Sequence, residues 1–320
     1  MKVIVTGSSG YIGGQIALQL RDAGHQVLGI DSQEPPKQLR GVCSEFLYQD
    51  FASDVALSWT VAAQPVAVIH CAGASLVGPS MKDPAHYFNN NVAKSLRLID
   101  TVREKLPQAK FVFSSSAATY GVPYMNPAHE VDLCEPISPY GESKLMVEQI
   151  LHWYNQAYGM NYVAFRYFNA CGADAQARHG QAPGATHIIA RVLESLRDNQ
   201  TFTLNGTDYP TDDGTCVRDY VHVADIAQAH IAVISQSTES GVYNLCSNRG
   251  ISNRQIIEAA EKITGRKLSV AHGTQRPGDP PILTANSRKF DMTVSGWRKY
   301  TLDDMIQHAW NWYVREDKKV

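Results

Sequence analysis

The stretch KVIVTGSSGYIGG, residues 2–14, decides the fold of this chain. Its apolar run at 3–5 predicts a short buried strand, and Gly7, Gly10 and Gly13 follow that strand directly. Glycine permits a tight turn and a close approach of the backbone to a bound group, and a helix that begins at such a turn offers free N–H groups to phosphates. The stretch therefore predicts the first turn of a dinucleotide-binding βα unit.

The residues after this turn extend the same unit. Ile12, Ile16 and Leu20 recur at the spacing of one helical face, and the run at 27–31 is predicted to be the second strand. Asp31 stands about 20 residues beyond the glycines, where a carboxylate binds the ribose hydroxyls of a dinucleotide and repels a 2′-phosphate. The pattern favours NAD over NADP. The alternative is a structural turn followed by a surface aspartate.

Strand and helix patterns alternate through the first half of the chain. Further strands are predicted at 66–73, 110–116 and 161–169, with helical patterns between them. Strands that alternate with helices of this length form a parallel sheet covered on both faces. The predicted fold class is α/β, with a Rossmann-like, doubly wound parallel sheet and a smaller C-terminal α/β part.

The pattern loosens after residue 170, where a loop-rich segment begins. We expect a NAD-binding domain over residues 1–170 and a substrate-binding domain over 171–320, with the segment 219–246 returning to the first domain. The cleft between two such parts is the usual place for a ligand.

Composition and charge argue against several classes of protein. Lys and Arg number 29 against 31 Asp and Glu, a net charge of −2, and no basic stripe suggests nucleic acid as a partner. No apolar run approaches the ~18 residues of a membrane span, and no apolar signal region is seen, so we expect a cytoplasmic protein. The six cysteines are scattered without a CxxC pair, and the 11 histidines show no zinc spacing, so no metal site is expected.

Ser116, Tyr140 and Lys144 are the candidate catalytic residues. Tyr140 and Lys144 are four residues apart and lie on one helix face, where a nearby ammonium favours the phenolate and lowers the pKa of the tyrosine. Ser116 ends a predicted strand at the carboxyl edge of the sheet, where ligands of open α/β folds bind. Alone, a YxxxK pair is most often a surface pair, but with the upstream glycine turn it predicts an acid/base site.

Several longer blocks resemble one known family. They are SSSAATYG (114–121), SPYGESKLMVEQIL (138–151), RYFNACGAD (166–174), DYPTDDGTCVRDYVHVAD (208–225) and RPGD (276–279). Over essentially the whole chain they are similar to the UDP-glucose 4-epimerase family of the extended short-chain dehydrogenase/reductase superfamily. Ala117 and Ala118 stand where dehydratases of that superfamily carry an Asp-Glu pair, which disfavours elimination chemistry.

This resemblance implies NAD as the cofactor and a UDP-sugar as the substrate, bound by the second domain. Lys144 would bind the nicotinamide ribose and lower the pKa of Tyr140. The implied cofactor-binding residues are Gly7, Gly10, Tyr11, Ile12, Gly13, Asp31, Asp50, Phe51, Cys71, Ala72, Gly73, Asn91, Ser114, Tyr140, Lys144 and Phe168. The implied substrate-binding residues are Ser116, Tyr140, Asn169, Arg218, Tyr220, Arg276, Asp279 and Leu283.

Arginine suits the diphosphate because its planar fork gives bidentate, charge-assisted hydrogen bonds. Asp279 can accept hydrogen bonds from the uridine ribose. The alternatives are a local ion pair of Arg218 with Asp219 and a turn role for Asn169.

Several positions depart from the family pattern. Ser75 stands where the family often has a lysine that reaches the cofactor phosphates, which predicts weaker cofactor retention unless Lys82 or another cation substitutes. Asn205 replaces an aromatic residue that commonly packs near the uracil. Leu283 is intermediate between the aromatic that restricts the pocket to plain hexoses and the small residue that admits N-acetylhexosamines, so both substrates stay open.

The implied activity is reversible 4-epimerisation of a UDP-hexose by transient oxidation at C4 with bound NAD. Two alternatives remain: a net NAD-dependent dehydrogenase or reductase of a nucleotide sugar, and a NAD-binding regulator without catalysis. The resemblance also implies a homodimer that pairs through the helical segments 96–106 and 145–154.

Overall fold

Seven parallel strands form the central sheet of the computed structural model, which describes residues 1–275 and 279–317. In chain order they are β1 (Lys2–Thr6), β2 (Gln26–Asp31), β3 (Glu45–Tyr48), β4 (Ala67–His70), β5 (Lys110–Ser116), β6 (Tyr162–Tyr167) and β10 (Gly241–Leu245). Their spatial order is β10-β6-β5-β4-β1-β2-β3, and every neighbouring pair is parallel. The carboxyl ends of β1, β4 and β5 therefore meet at one edge of the sheet.

Helices cover both faces of this sheet. They are α1 (Tyr11–Asp22), α2 (Asp54–Ala63), α3 (Val77–Ser80), α4 (Pro84–Tyr87), α5 (Lys94–Lys105), α6 (Pro139–Tyr158), α7 (Ile188–Asp198), α8 (Val223–Ser235), α9 (Asn253–Thr264), α10 (Arg288–Thr293) and α11 (Leu302–Asp317). Short 3-10 turns lie at Lys37–Leu39 and Ala117–Thr119, and a π-helical turn at Phe88–Ala93. Within the described ranges, no helix has the length and apolar character needed to cross a bilayer.

Helix α6 is the longest helix, and its sequence specifies both ends. The hydroxyl of Ser138 accepts a hydrogen bond from the Gly141 N–H, and Pro139 occupies the first turn. Gly159 ends the helix with a φ of 68°, a left-handed conformation that glycine adopts without strain. These signals fix the helix that carries Tyr140 and Lys144.

The remaining strands form two small sheets. Strand β9 (Val217–His222) pairs with β7 (Asn169–Cys171) and β13 (Ile282–Leu283) in parallel and with β11 (Gly250–Ser252) in antiparallel fashion. Strand β8 (Phe202–Asn205) pairs in parallel with β12 (Val270–Gly273). Helices α7, α9 and α11 enclose a separate apolar cluster beside these strands.

The core of the large sheet consists of two apolar layers, one on each face. Helices α1 and α8 cover one layer, and helices α2, α5 and α6 cover the other. Each fully buried aliphatic side chain in these layers contributes about 1.5–3 kcal/mol. Burial on both faces explains why the strands read as continuous apolar runs rather than as alternating patterns.

The α/β fold class with its Rossmann-like parallel sheet is confirmed. Strand β3 was not predicted, because this edge strand is only partly buried and its apolar run is short. Helix α8 and strand β10 belong to the large sheet and its core, whereas β9 lies in the small sheet. Phe290 of α10 also packs into the core of the large sheet. The division of the chain at residue 170 stays a prediction.

Candidate active site

The glycine turn lies between β1 and α1 and has no room for side chains. Gly7 adopts a φ of 72°, and a Cβ there would lie 2.7 Å from the backbone nitrogen of Ala72. A Cβ on Gly13 would lie 2.2 Å from the carbonyl oxygen of Gly7. Gly10 precedes α1 without any side-chain cap, so the first N–H groups of this helix remain open toward an anion.

Asp31 lies at the end of β2, beside the glycine turn. Its two carboxylate oxygens accept hydrogen bonds from the Ser9 and Gln33 N–H groups, each at 2.9 Å. The backbone thus fixes the carboxylate where the sequence predicts the contact with a ribose. Each oxygen keeps a further lone pair for a hydroxyl group.

Tyr11 and Ile12 start helix α1. The Tyr11 hydroxyl donates to the carbonyl oxygen of Gly172 at 2.7 Å, and the Ile12 side chain packs against the core of the large sheet. Tyr11 therefore ties the glycine turn to the chain just beyond strand β7, which leads into the second part of the molecule.

Asp50 and Phe51 follow strand β3. Asp50 accepts a hydrogen bond from the Ala52 N–H and pairs with Lys94 of α5, a partner that the sequence did not reveal. Phe51 is buried, with its ring centroid 4.7 Å from that of His70. Both residues lie just beyond the carboxyl end of β3, and their contact with the adenine stays a prediction.

Asn91 connects the segment after β4 to helix α6. Its Oδ1 accepts from the Ala74 N–H at 2.8 Å, and its Nδ2 donates to the Ala74 carbonyl and to the Ser143 hydroxyl. The residue lies in the π-helical turn, a distortion that often marks functional sites. This contact holds the segment that contains Cys71, Ala72 and Gly73 beside the candidate catalytic helix.

Lys144 is buried at the carboxyl end of β5. Its Nζ donates to the carbonyl oxygen of Ser114 at 2.8 Å and would lie 3.6 Å from a Cβ on Gly73. Burial lowers the pKa of Lys144 to about 8, and Cys71 and Glu148 oppose that shift. The lysine therefore stands between the candidate catalytic helix and the residues predicted to bind the cofactor.

Tyr140 lies one helical turn before Lys144 and is partly buried. Burial raises the pKa of Tyr140, a hydrogen bond with Ser116 opposes this, and Tyr87 raises it further. The sequence predicted a pKa lowered by Lys144. The structure shows the opposite direction, because the phenol is desolvated and the Lys144 amine is directed at the Ser114 carbonyl.

Tyr87 of α4 is a neighbour of Tyr140 that sequence reasoning missed. The two rings meet edge-on with centroids 6.3 Å apart, and the Tyr87 hydroxyl donates to the Leu76 carbonyl at 2.6 Å. No spacing pattern links residues 87 and 140, so only the tertiary fold brings them together.

Arg218 pairs with Asp279, not with Asp219. Its Nη2 donates to an Asp279 carboxylate oxygen, and its Nη1 donates to the Val217 carbonyl at 2.8 Å. Asp219 instead accepts from the N–H and hydroxyl of Ser247. The alternative of a local Arg218–Asp219 ion pair is therefore wrong. Arg276 lies outside the described residues.

Asn169 and Tyr220 lie side by side on the small sheet. The Asn169 side chain donates to the Asp219 carbonyl at 2.8 Å, so it spans strands β7 and β9. With Tyr220 it lines a cavity of about 30 Å³, whose walls also include Trp312 and Tyr313. Most of its lining residues belong to the part of the chain, 171–320, that the sequence predicts to bind the substrate.

Leu283 pairs with Arg218 in the register of β13 and β9. Its side chain packs against a buried cluster that includes Ala117 and Phe168. Ala117 directly follows Ser116, so Leu283 lies at the same end of the site as the candidate catalytic serine. Phe168 itself is buried in this cluster.

Two of the departures from the family pattern lie at the periphery. Ser75 and Lys82 are exposed beyond the end of β4. Asn205 ends strand β8, and a Cβ on Gly273 would lie 2.5 Å from its Oδ1. In the part of the chain that the structure describes, no group of three or more His, Cys, Asp or Glu residues is arranged to hold a metal ion.

A parallel sheet with an uncapped glycine turn and a buried Tyr-x-x-x-Lys pair defines a dinucleotide-dependent enzyme of the Rossmann class. The NAD dependent epimerase/dehydratase family matches residues 3–246. A UDP-glucose 4-epimerase of Halalkalibacterium halodurans is 40% identical over 98% of this chain and 96% of its own. The chain belongs to the NAD dependent epimerase/dehydratase family, as a relative of its UDP-glucose 4-epimerases.

Solved structures show the same similarity over the full length. UDP-glucose 4-epimerase from Brucella ovis in complex with NAD superposes with a TM-score of 0.91 at 36% identity, covering 97% of each chain. The enzyme from Bifidobacterium longum in complex with NAD⁺ and UDP has a TM-score of 0.91 at 30% identity, covering 100% of each chain.

Proposed function

We propose that this chain catalyses the reversible NAD-dependent 4-epimerisation of a UDP-hexose, interconverting UDP-glucose and UDP-galactose. One observation carries the proposal: Tyr140 and Lys144 face Ser116 and Ser114 at the carboxyl edge of the sheet, next to the glycine turn. The names and bound ligands of the related epimerases support the same activity.

The residues around the glycine turn fit NAD. A Cβ on Gly7 or Gly13 would collide with neighbouring backbone, so these glycines keep the turn tight, and the uncapped start of α1 would supply N–H donors to the pyrophosphate. Asp31 would hold the adenosine ribose and disfavour a 2′-phosphate. Lys144 would hold the nicotinamide ribose. When bound, NAD⁺ accepts a hydride from C4 of the sugar and returns it to the opposite face.

Tyr140 is the acid/base residue in this proposal. As a phenolate it removes the proton of the 4′-hydroxyl group, and it returns that proton when the sugar is restored. Ser116, which lowers the pKa of the phenol, would contact the same sugar oxygen. Burial raises the pKa of Tyr140 and Ser116 lowers it, so the phenolate depends on Ser116 for stabilisation.

The nucleotide has to stay bound while the sugar turns over. Arg218, and Arg276 from the family pattern, would hold the diphosphate, while Asp279 and Asn169 would hold the uridine side. Arg218 already contacts the Asp279 carboxylate, so the two charges are positioned before any ligand arrives. Leu283, beside the Ser116 end of the site, would limit the space available at C2 of the sugar. The N-acetylhexosamine pair would fit if the Leu283 side chain moves aside.

The proposal extends to organisation and location. We expect residues 1–170 to bind NAD and 171–320 to bind the UDP-sugar, in a cytoplasmic homodimer paired through α5 and α6. The family resemblance carries the expectation of a dimer, and Trp153 on α6 is 66% exposed. Sedimentation analysis of the purified protein tests the dimer.

The decisive experiment follows UDP-galactose by proton NMR with purified protein, first without and then with added NAD⁺. Appearance of UDP-glucose at a constant ratio, with no NADH absorbance, supports the epimerase. Stoichiometric NADH would instead identify a net dehydrogenase. If the protein binds UDP-galactose but turns over neither UDP-galactose nor UDP-N-acetylglucosamine, it is a regulator without catalysis.

A further inference from the structure

Glu148 is a buried carboxylate to which the proposed mechanism gives no role. It follows Tyr140 by eight residues and Lys144 by four, so all three lie on one face of α6. The residue is 3% exposed, and its carboxylate receives the Nε and Nη2 groups of Arg166, the latter at 2.6 Å. A buried carboxylate is costly unless it is paired in this way.

The end of strand β5, residues 114–116, meets three successive turns of helix α6. Its first residue accepts from Lys144 through the carbonyl oxygen at 2.8 Å, and its last, Ser116, interacts with the Tyr140 phenol and lowers its pKa. The hydroxyl of the middle residue, Ser115, donates to the carboxylate of Glu148 on the same helix. The strand and helix are therefore joined by three polar contacts, and Glu148 supplies the one farthest from the reacting atoms.

We propose that Glu148 is a positioning residue for the catalytic pair: held by Arg166, it anchors α6 to the end of β5 through Ser115 and so fixes Tyr140 and Lys144. The inference rests on the proposed function, since it takes Tyr140 and Lys144 as the residues that carry the chemistry. Displacing such groups by about 1 Å can cost about 10²-fold in rate.

The negative charge of Glu148 also supports the catalytic pair, because it favours the protonated form of Lys144. The ionisable groups around Lys144 are His70 and Cys71 from β4 and its end, Tyr140 and Glu148 from α6, Tyr167 from β6 and, beyond Glu148, Arg166. Burial lowers the pKa of His70 to about 3 and raises that of Cys71 to about 11, so neither is charged at pH 7. The Glu148 carboxylate therefore supplies negative charge that raises the pKa of the buried Lys144.

Ser115→Ala is the cleanest test, because it removes the contact between strand and helix while the Glu148–Arg166 pair stays intact. We expect kcat for UDP-galactose to fall about tenfold, with KM changed less than twofold. The alkaline limb of the pH–kcat profile, where kcat falls as Lys144 loses its proton, should stay at the same pH. Glu148→Gln removes the negative charge beside Lys144. In this variant kcat should fall, and the alkaline limb should move to a pH about one unit lower because the pKa of Lys144 falls.

Glu142→Gln is the matched control, since it removes a carboxylate from a different face of the same helix. It should leave both kcat and the pH profile unchanged. A purely structural role for Glu148 predicts a lower Tm in Ser115→Ala but a kcat, per folded molecule, within twofold of the wild type; that result overturns the proposal. An unmoved alkaline limb in a folded Glu148→Gln protein does the same.

The outcome is separable from that of the proposed function. If the wild-type protein shows no epimerisation, the proposed function fails, and the role of Glu148 is then read from the affinity for NAD⁺ as a function of pH. As the pH is raised, the affinity for NAD⁺ should begin to fall at a lower pH in Glu148→Gln than in the wild type or in Glu142→Gln. Coincident curves would reject the role of Glu148 in that case.

Discussion

Arg218 and Asp279 form an ion pair although they are 61 residues apart in the chain. Arg218 lies on β9, and Asp279 precedes β13, which pairs with β9. The side chain of Arg218 is 12% exposed and that of Asp279 is 33% exposed. The pair therefore holds a largely buried guanidinium beside a more exposed carboxylate.

Replacing the guanidinium by an amine tests this arrangement. In Arg218→Lys the charge remains but the planar fork is lost, so KM for the UDP-sugar should rise about tenfold with kcat changed less than threefold. Initial rates over a range of UDP-galactose concentrations give both constants. Arg254→Lys, at an exposed arginine of α9, is the control, and equal KM values in the two variants would contradict the proposed contact.

Tyr140→Phe removes the proposed acid/base group with little change in shape. We expect kcat to fall by about 10²–10⁴-fold while NAD still binds, because the phenol contributes to proton transfer and not to the glycine turn. The NMR assay measures turnover, and fluorescence measures NAD binding. Tyr158→Phe, at the exposed far end of the same helix, should keep full activity; turnover of Tyr140→Phe near the wild-type rate would exclude the assigned role.

Lys144 lowers the stability of the ligand-free protein at neutral pH. Burial lowers its pKa from 10.5 to about 8, so below pH 8 the folded state carries the full cost of a buried ammonium. Between pH 8 and 10.5 the folded state binds fewer protons than the unfolded state, so this cost shrinks as the pH rises, and it vanishes above pH 10.5.

Lys144→Met should therefore stabilise the NAD-free protein at pH 7 by about 2 kcal/mol, after allowance for the lost hydrogen bond to Ser114. The gain should fade as the pH approaches 10. Urea unfolding of the two proteins at pH 7 and pH 10 measures both values. The same variant should bind NAD more weakly. If Lys144→Met gains the same unfolding free energy at pH 7 and at pH 10, burial of the ammonium does not destabilise the protein.

Leu283 should control the choice between plain hexoses and N-acetylhexosamines. Leu283→Tyr adds bulk beside Ala117 and Phe168, so kcat/KM for UDP-N-acetylglucosamine should fall about tenfold or more while UDP-glucose is processed as before. Leu283→Ser should shift the ratio the other way. If the ratio of kcat/KM for UDP-N-acetylglucosamine to kcat/KM for UDP-glucose is the same in both variants, Leu283 does not contact the sugar.

Ser75→Lys should strengthen NAD retention. Ser75 is exposed just beyond β4, and a lysine there would add a cation near the expected pyrophosphate. We expect the dissociation constant of NAD to fall about fivefold at low salt and the gain to shrink at high salt. Titration at two ionic strengths measures it, with Ser75→Gln as the uncharged control; a gain that is independent of salt would argue against a phosphate contact.

The fold and the candidate catalytic residues follow from local sequence. The apolar run at 3–5, the glycines that follow it and the four-residue spacing of Tyr140 and Lys144 each report backbone geometry within a few residues. These short-range constraints are sufficient to specify the βα unit, the parallel sheet and one face of helix α6. The roles assigned to individual site residues through the family resemblance stay predictions.

Only the tertiary structure decided which groups meet and in what electrostatic state. The Arg218–Asp279 pair, the contact of Glu148 with Arg166 and the ring of Tyr87 against Tyr140 join residues that share no local pattern. The pKa of Tyr140 is raised, although its spacing from Lys144 predicts the opposite, because desolvation depends on everything packed around the phenol. Helical spacing determines which side chains share a face, whereas burial, which the whole fold sets, determines their charge.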